Sequence, residues 1–188
     1  MRAFLLLLAL AACGPDRQPA KISDPDPPEA LADAPTDTDT ARWTAGVVDL
    51  AGDAERPVPL RSVRAGAHPD ATPPFDRVVF EFEGDRLPGV RVAYVDRPVR
   101  ACGSGAVVPV AGDNQLEVRL VPAVGHTEAG EPTVPDALAL AASPNLTGAR
   151  RTCDFEGAVT WVLGIDRPNR FRVRALRQPA RVVVDVRR

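Results

Sequence analysis

The sequence predicts an all-β domain, an antiparallel β-sandwich, and three observations carry that prediction. The stretch Phe75-Asp76-Arg77-Val78-Val79-Phe80-Glu81-Phe82 alternates, with Val78, Phe80 and Phe82 on one side and Arg77, Val79 and Glu81 on the other. Period two marks a strand with one face in a core, because successive side chains leave a strand on opposite sides. Near the C-terminus, Arg181-Val182-Val183-Val184-Asp185-Val186 repeats the design, with a basic start and an acid interrupting an apolar run. Around these lie further short apolar runs separated by Pro- and Gly-rich turns, which favours a sandwich over a helical or βαβ fold.

In chain order, Met1-Arg2 supplies a positive charge and residues 3–12 form an apolar run with five leucines. Ten residues are too few to span a bilayer, which needs roughly 20, but they suit a secretory signal. The run closes on Leu10-Ala11-Ala12-Cys13-Gly14. This resembles the bacterial lipobox, in which small residues lead to a cysteine that is lipidated and becomes the new N-terminus. The alternatives are an ordinary signal peptide or a plain buried thiol, but position and small neighbours favour lipidation of Cys13. Residues 1–13 are therefore expected to be a lipoprotein signal. The mature chain is expected in the cell envelope, anchored to the cell membrane or the outer membrane by its acyl chains.

Residues 14–40 change composition: six of 27 are proline, and seven acids stand against Arg17 and Lys21. With no aromatic residue the segment has no core to offset chain entropy, so it reads as an extended, disordered tether. Its Asp-Thr-Asp-Thr run at 37–40 lacks the glycine and closing glutamate of a calcium loop. Residues 41–188 then suffice for one domain with a sizeable core. They carry 20 arginines against 18 acids, whereas the tether carries a net charge of −5. Expected strands are 58–66, 76–83, 89–95, 106–110, 115–121, 157–165, 170–176 and 180–187. Gly112-Asp113-Asn114 reads as a hairpin turn. Residues 134–142 fit either a short helix capped by Asp136 or a strand. Val159, Trp161 and Leu163 alternate with apolar neighbours, which places Trp161 in the core of a strand covered on both sides.

Self-comparison points to an internal duplication. A shift of 80 pairs Phe75 with Phe155, Val79 with Val159 and Gly84 with Gly164. A shift of 81 pairs Arg91 with Arg172, Val92 with Val173 and Pro98 with Pro179. Two related sheets stacked about 10 Å apart would bury both apolar faces, although chance matching in a chain rich in Val, Arg and Pro also produces such pairs.

The two alternating stretches, together with Asp154-Phe155-Glu156-Gly157, Trp161 and Gly164, resemble the AMIN-like domain of bacterial envelope lipoproteins. The resemblance covers about Leu60 to Val186. It implies kinship with AMIN domains, β-sandwich modules that accompany cell-wall amidases and secretins and direct them to peptidoglycan. The implied role is a non-catalytic module binding peptidoglycan or another envelope component. The alternative is an assembly subunit that docks an envelope protein through a sheet edge.

With Cys13 lipidated, Cys102 and Cys153 remain as a pair in an oxidising compartment, so a disulfide is favoured over two separate thiols. Their spacing suits no metal site, and no cofactor is expected. His68 and His126 form no hydrolase motif, and Ser104 in Cys102-Gly103-Ser104-Gly105 reads as a turn, so an enzyme is not expected. No nucleic-acid motif is present either. Arg170, Arg172 and Arg174 alternate with Phe171, Val173 and Ala175. Their guanidinium groups are candidate forks for the carboxylates or phosphates of an envelope polymer. If the stripe binds, it lies on the solvent face, and reversing Arg172 and Arg174 to glutamate leaves the fold intact while abolishing retention on an anionic polymer. The competing reading is a wet face partly paired with acids such as Asp185.

Overall fold

The computed structural model describes residues 38–139, 143 and 145–188, so the signal, Cys13 and most of the tether lie outside the described residues. Twelve strands appear and, among the described residues, no helix. In order they are β1 (Thr38–Thr44), β2 (Val48–Leu50), β3 (Val58–His68), β4 (Phe75–Phe82), β5 (Gly89–Val95), β6 (Asn114–Val121), β7 (Ala123–Val124), β8 (Ala137–Ala139), β9 (Leu146–Phe155), β10 (Ala158–Ile165), β11 (Phe171–Arg177) and β12 (Ala180–Arg187). They form two six-stranded sheets. Sheet A runs β1-β11-β12-β4-β3-β7 and sheet B runs β2-β5-β6-β10-β9-β8. Every pairing is antiparallel except β3 with β7.

The alternation read from the sequence is what stacks the sheets. Val78, Phe80 and Phe82 of β4 and Val182, Val184 and Val186 of β12 face inward from sheet A, essentially without solvent exposure. Leu116, Val118 and Leu120 of β6 and Val159, Trp161 and Leu163 of β10 meet them from sheet B. Trp161 packs edge-on against Phe80 with ring centroids 6.1 Å apart, so its place in the core is as expected. Fully burying side chains of this size contributes roughly 1.5–3 kcal/mol each.

The two strand orders correspond position by position. β3–β6 place one hairpin in sheet A and the next in sheet B, and β9–β12 do so in the reverse direction. Each repeated half therefore contributes to both sheets, instead of forming one sheet of its own. The shift of 81 keeps faces matched, since Arg91 and Arg172 point outward while Val92 and Val173 point inward. The shift of 80 does not. It pairs outward Val79 with inward Val159, the one-residue slip that moves every side chain to the other face.

Seven expected strands are present within one or two residues of their predicted limits. Residues 106–110 are not a strand: only Val107 bridges, to Arg100, within a long excursion from 96 to 113. Consequently Gly112-Asp113-Asn114 turns no hairpin, and β5 pairs directly with β6 across that excursion. The excursion lies close against β10, where a Cβ on Gly164 would stand 1.8 Å from the Ala111 carbonyl oxygen. At Gly112, with φ +84°, a Cβ would stand 2.8 Å from the Ile165 amide nitrogen. Of residues 134–142, Ala137–Ala139 form β8, while 140–142 lie outside the described residues. The first strand begins at Thr38, so the end of the Asp-Thr run joins the edge of sheet A three residues before the expected boundary.

Candidate functional site

The register of sheet A collects arginines on its outer face. Arg172 of β11 stands opposite Asp185 of β12, which stands opposite Arg77 of β4. One row along the strands, Arg174, Val183, Val79 and Arg64 lie side by side, and Arg181 faces Glu81 in the next row. At the opposite end Arg170 and Arg187 join through a backbone hydrogen bond. Seven arginines thus share the face with three acidic residues, Asp185, Glu81 and Asp39. Asp39 stands at the register position opposite Arg174.

Asp185 organises the middle of this face. It points outward yet has no solvent exposure, because three guanidinium groups cover it. Arg77 donates from Nε at 2.6 Å and from Nη2 at 3.0 Å, the bidentate geometry that makes guanidinium–carboxylate pairs strong. Arg172 donates from Nε at 2.8 Å and Arg174 from Nη2 at 3.4 Å. The Nε of Arg174 is buried with no hydrogen-bond partner among the described residues.

An aromatic shelf adjoins the cluster. Arg172 lies over the Trp43 ring at 4.6 Å and over Phe75 at 5.1 Å, and Arg77 lies over Phe75 at 4.9 Å. His68 stacks on Phe75 at 4.7 Å. Stacking on rings and binding one carboxylate fix the guanidinium planes, so this end of the face is preorganised.

The family model of the AMIN-like domain matches residues 58–188. The chain belongs to the AMIN-like domain family. Comparison with curated proteins finds no match, and comparison with solved structures finds none. The matched region contains Arg77, Arg172, Arg174 and Asp185, whereas Trp43 lies upstream of it.

The expected arginine stripe of the AMIN-like domain is therefore placed only in part. Phe171 and Val173 are buried beneath it, as alternation requires. Arg172 and Arg174 are about three-quarters buried and paired with Asp185, not free on a wet face. Reversing both to glutamate would gather three carboxylates and leave Arg77 alone against them, so the fold would not be spared. Arg170 precedes β11 and is exposed. Arg170, Arg181 and Arg187 have no acidic partner among the described residues, which makes them the available cations. Sequence reading missed the contributions of Arg77, Arg181 and Arg187, because strand pairing across the chain cannot be read from local alternation.

Other candidates resolve into structure. Cys102 and Cys153 are joined, with Cα atoms 5.2 Å apart, and fasten the 96–113 excursion to β9. Ser104 accepts a hydrogen bond from the Ala106 amide, a turn as expected. The Tyr94 hydroxyl donates to the Asn169 carbonyl at 2.7 Å, and burial pushes its pKa up. It is an interior tie, not a binding aromatic. His126 pairs with Asp154 at 3.1 Å, and Asp154 also accepts from Arg151 at 2.8 Å.

Proposed function

We propose that the domain is the non-catalytic binding module of an exported, lipid-anchored envelope protein, and that it holds peptidoglycan or another anionic envelope polymer on the outer face of sheet A. The observation that carries this reading is the excess of arginines over acids on that face, where Arg170, Arg181 and Arg187 have no acidic partner among the described residues and Arg170 and Arg187 lie beside a preorganised aromatic–guanidinium shelf. Unpaired guanidinium forks match the carboxylates of stem peptides and the phosphates of wall polymers. Trp43, half-buried against Arg172, offers an aromatic edge for a sugar ring. Membership of the AMIN-like family supports an envelope role, and Leu10-Ala11-Ala12-Cys13 supports the anchor. Binding is favoured over catalysis because neither His68 nor His126 stands in a hydrolase motif of the sequence.

Co-sedimentation with purified sacculi tests the reading. The Arg170→Gln/Arg181→Gln/Arg187→Gln protein should remain folded, since none of the three makes an ion pair among the described residues, yet bind at least about tenfold more weakly with a shallower salt dependence. Equal retention of parent and variant would refute it.

A further inference from the structure

Sheet B has an outer face of a different character. Gly89 of β5 stands opposite Val121 of β6, and Ala158 of β10 stands opposite Phe155 of β9. The pairing of Val159 with Leu120 sets Ala158 beside Val121, so the four residues form one row across four strands. Val121 is 39% exposed and Phe155 is 60% exposed, two of the largest apolar side chains left to solvent. One row away, Asp49, Arg91 and Arg119 stand in line on β2, β5 and β6. Where Gly89 lacks a side chain the two rows border an open groove of about 550 Å³.

The charges of this groove do not balance. Arg91 and Arg119 are directly opposite, an arrangement that destabilises a sheet unless an anion lies between them. Asp49 engages Arg91 at 2.7 and 3.0 Å, while Arg119 has no acidic partner among the described residues. The apolar row restricts what else a ligand can carry. β5, β6 and β10 are interior strands whose backbone donors and acceptors are consumed by their neighbours. A peptide laid across them would leave its amides unpaired, whereas a hydrocarbon tail loses nothing by lying there.

We propose that this groove binds an aliphatic carboxylate, its head beside Arg119 and Arg91 and its chain running over exposed Val121, past buried Ala158, to exposed Phe155 beyond the groove. From Val121 to Phe155 the row spans two inter-strand spacings, about 10 Å, the length of an octanoyl chain. The site is on the sheet opposite the arginine face and stands whether or not that face binds polymer.

The test is NMR titration of the whole chain with octanoate, following the Arg119 Nε–Hε signal and the methyl groups of Val121 and Ala158. Saturable shifts at all three are expected. Octanol, which lacks the charge, and acetate, which lacks the chain, should each bind at least about tenfold more weakly. Arg119→Gln, at an exposed position that leaves the fold intact, should weaken octanoate by about tenfold, while Arg64→Gln on sheet A should change nothing. Absence of saturable shifts at Arg119 would overturn the proposal. So would octanol binding as well as octanoate, unchanged affinity in Arg119→Gln, or tighter binding of N-acetyl-Ala-Ala than of octanoate.

Discussion

Replacing Asp185 by asparagine should damage this protein more than any other single isosteric change to a charged residue. The carboxylate is fully buried and accepts from Arg77, Arg172 and Arg174. A contact near 4 Å at an effective dielectric of ~20 has a gross value of about 4 kcal/mol, so three contacts, about 12 kcal/mol, are comparable to the whole stability of a domain. The desolvation cost of the carboxylate disappears with them, however. The guanidinium side chains are 22–25% exposed and regain some water. The expected net loss is about 3–5 kcal/mol, the range for removing one partner of a buried charge cluster. Urea denaturation measures it, as a lowered midpoint with unchanged slope. Sulfate should stabilise Asp185→Asn more than the parent, because an anion can replace the missing charge. A loss below about 1 kcal/mol, or equal sulfate effects on both proteins, would refute the reasoning. Glu81→Gln is the control: its partner Arg64 is 54% exposed, and about 0.5 kcal/mol is expected.

Three further outcomes follow from particular contacts. Gly164→Ala meets the Ala111 carbonyl with no room to relax, so thermal denaturation should show a loss of about 3 kcal/mol or more, while Gly66→Ala, with open space at its Cβ, should lose under about 1. Cys102→Ser opens a bridge between residues 51 apart and should cost about 2–5 kcal/mol, with thiol labelling of the unfolded, unreduced parent confirming that both sulfurs are blocked. Asp53 accepts from the Leu87 amide and from Arg177, which hold its carboxyl at about 2 against the usual 3.8. A depressed folded-state pKa stabilises above about pH 4 and ceases to do so as pH falls through 2. Asp53→Asn should therefore cost about 1–2 kcal/mol at pH 7, reduced by solvent screening, and almost nothing at pH 2.

Local alternation made most of the sandwich legible. β4, β6, β10 and β12 each bury one regular row, and their limits are found within a residue. β9 was illegible for a physical reason. Its buried positions are Leu146, Gly148, Ala149 and Thr152, and its register against β10 shifts twice, so no apolar period survives. β1 was hidden because Thr38 to Thr40 have the composition of the tether and gain strand form only by pairing with β11. The candidate site was half legible. Arg172 and Arg174 follow from alternation on β11, but their convergence with Arg77 on Asp185 depends on strands 108 residues apart in sequence. The pairing of Arg172 and Arg174 with nearby Asp185 is the competing reading that the sequence already offered, and only the share of Arg77 was out of its reach.

The central claim is that the outer face of sheet A, through Arg170, Arg181 and Arg187, contacts an anionic envelope polymer. Its most direct measurement is an NMR titration of the whole chain with soluble muropeptides carrying free stem-peptide carboxylates, read at the arginine Nε–Hε signals. The account predicts that Arg170, Arg181 and Arg187 shift together and saturably, that Arg172 and Arg77 move less because Asp185 already holds them, and that raising the salt concentration reverses all of it. Shifts confined to sheet B, or none on either sheet at millimolar ligand, would contradict it.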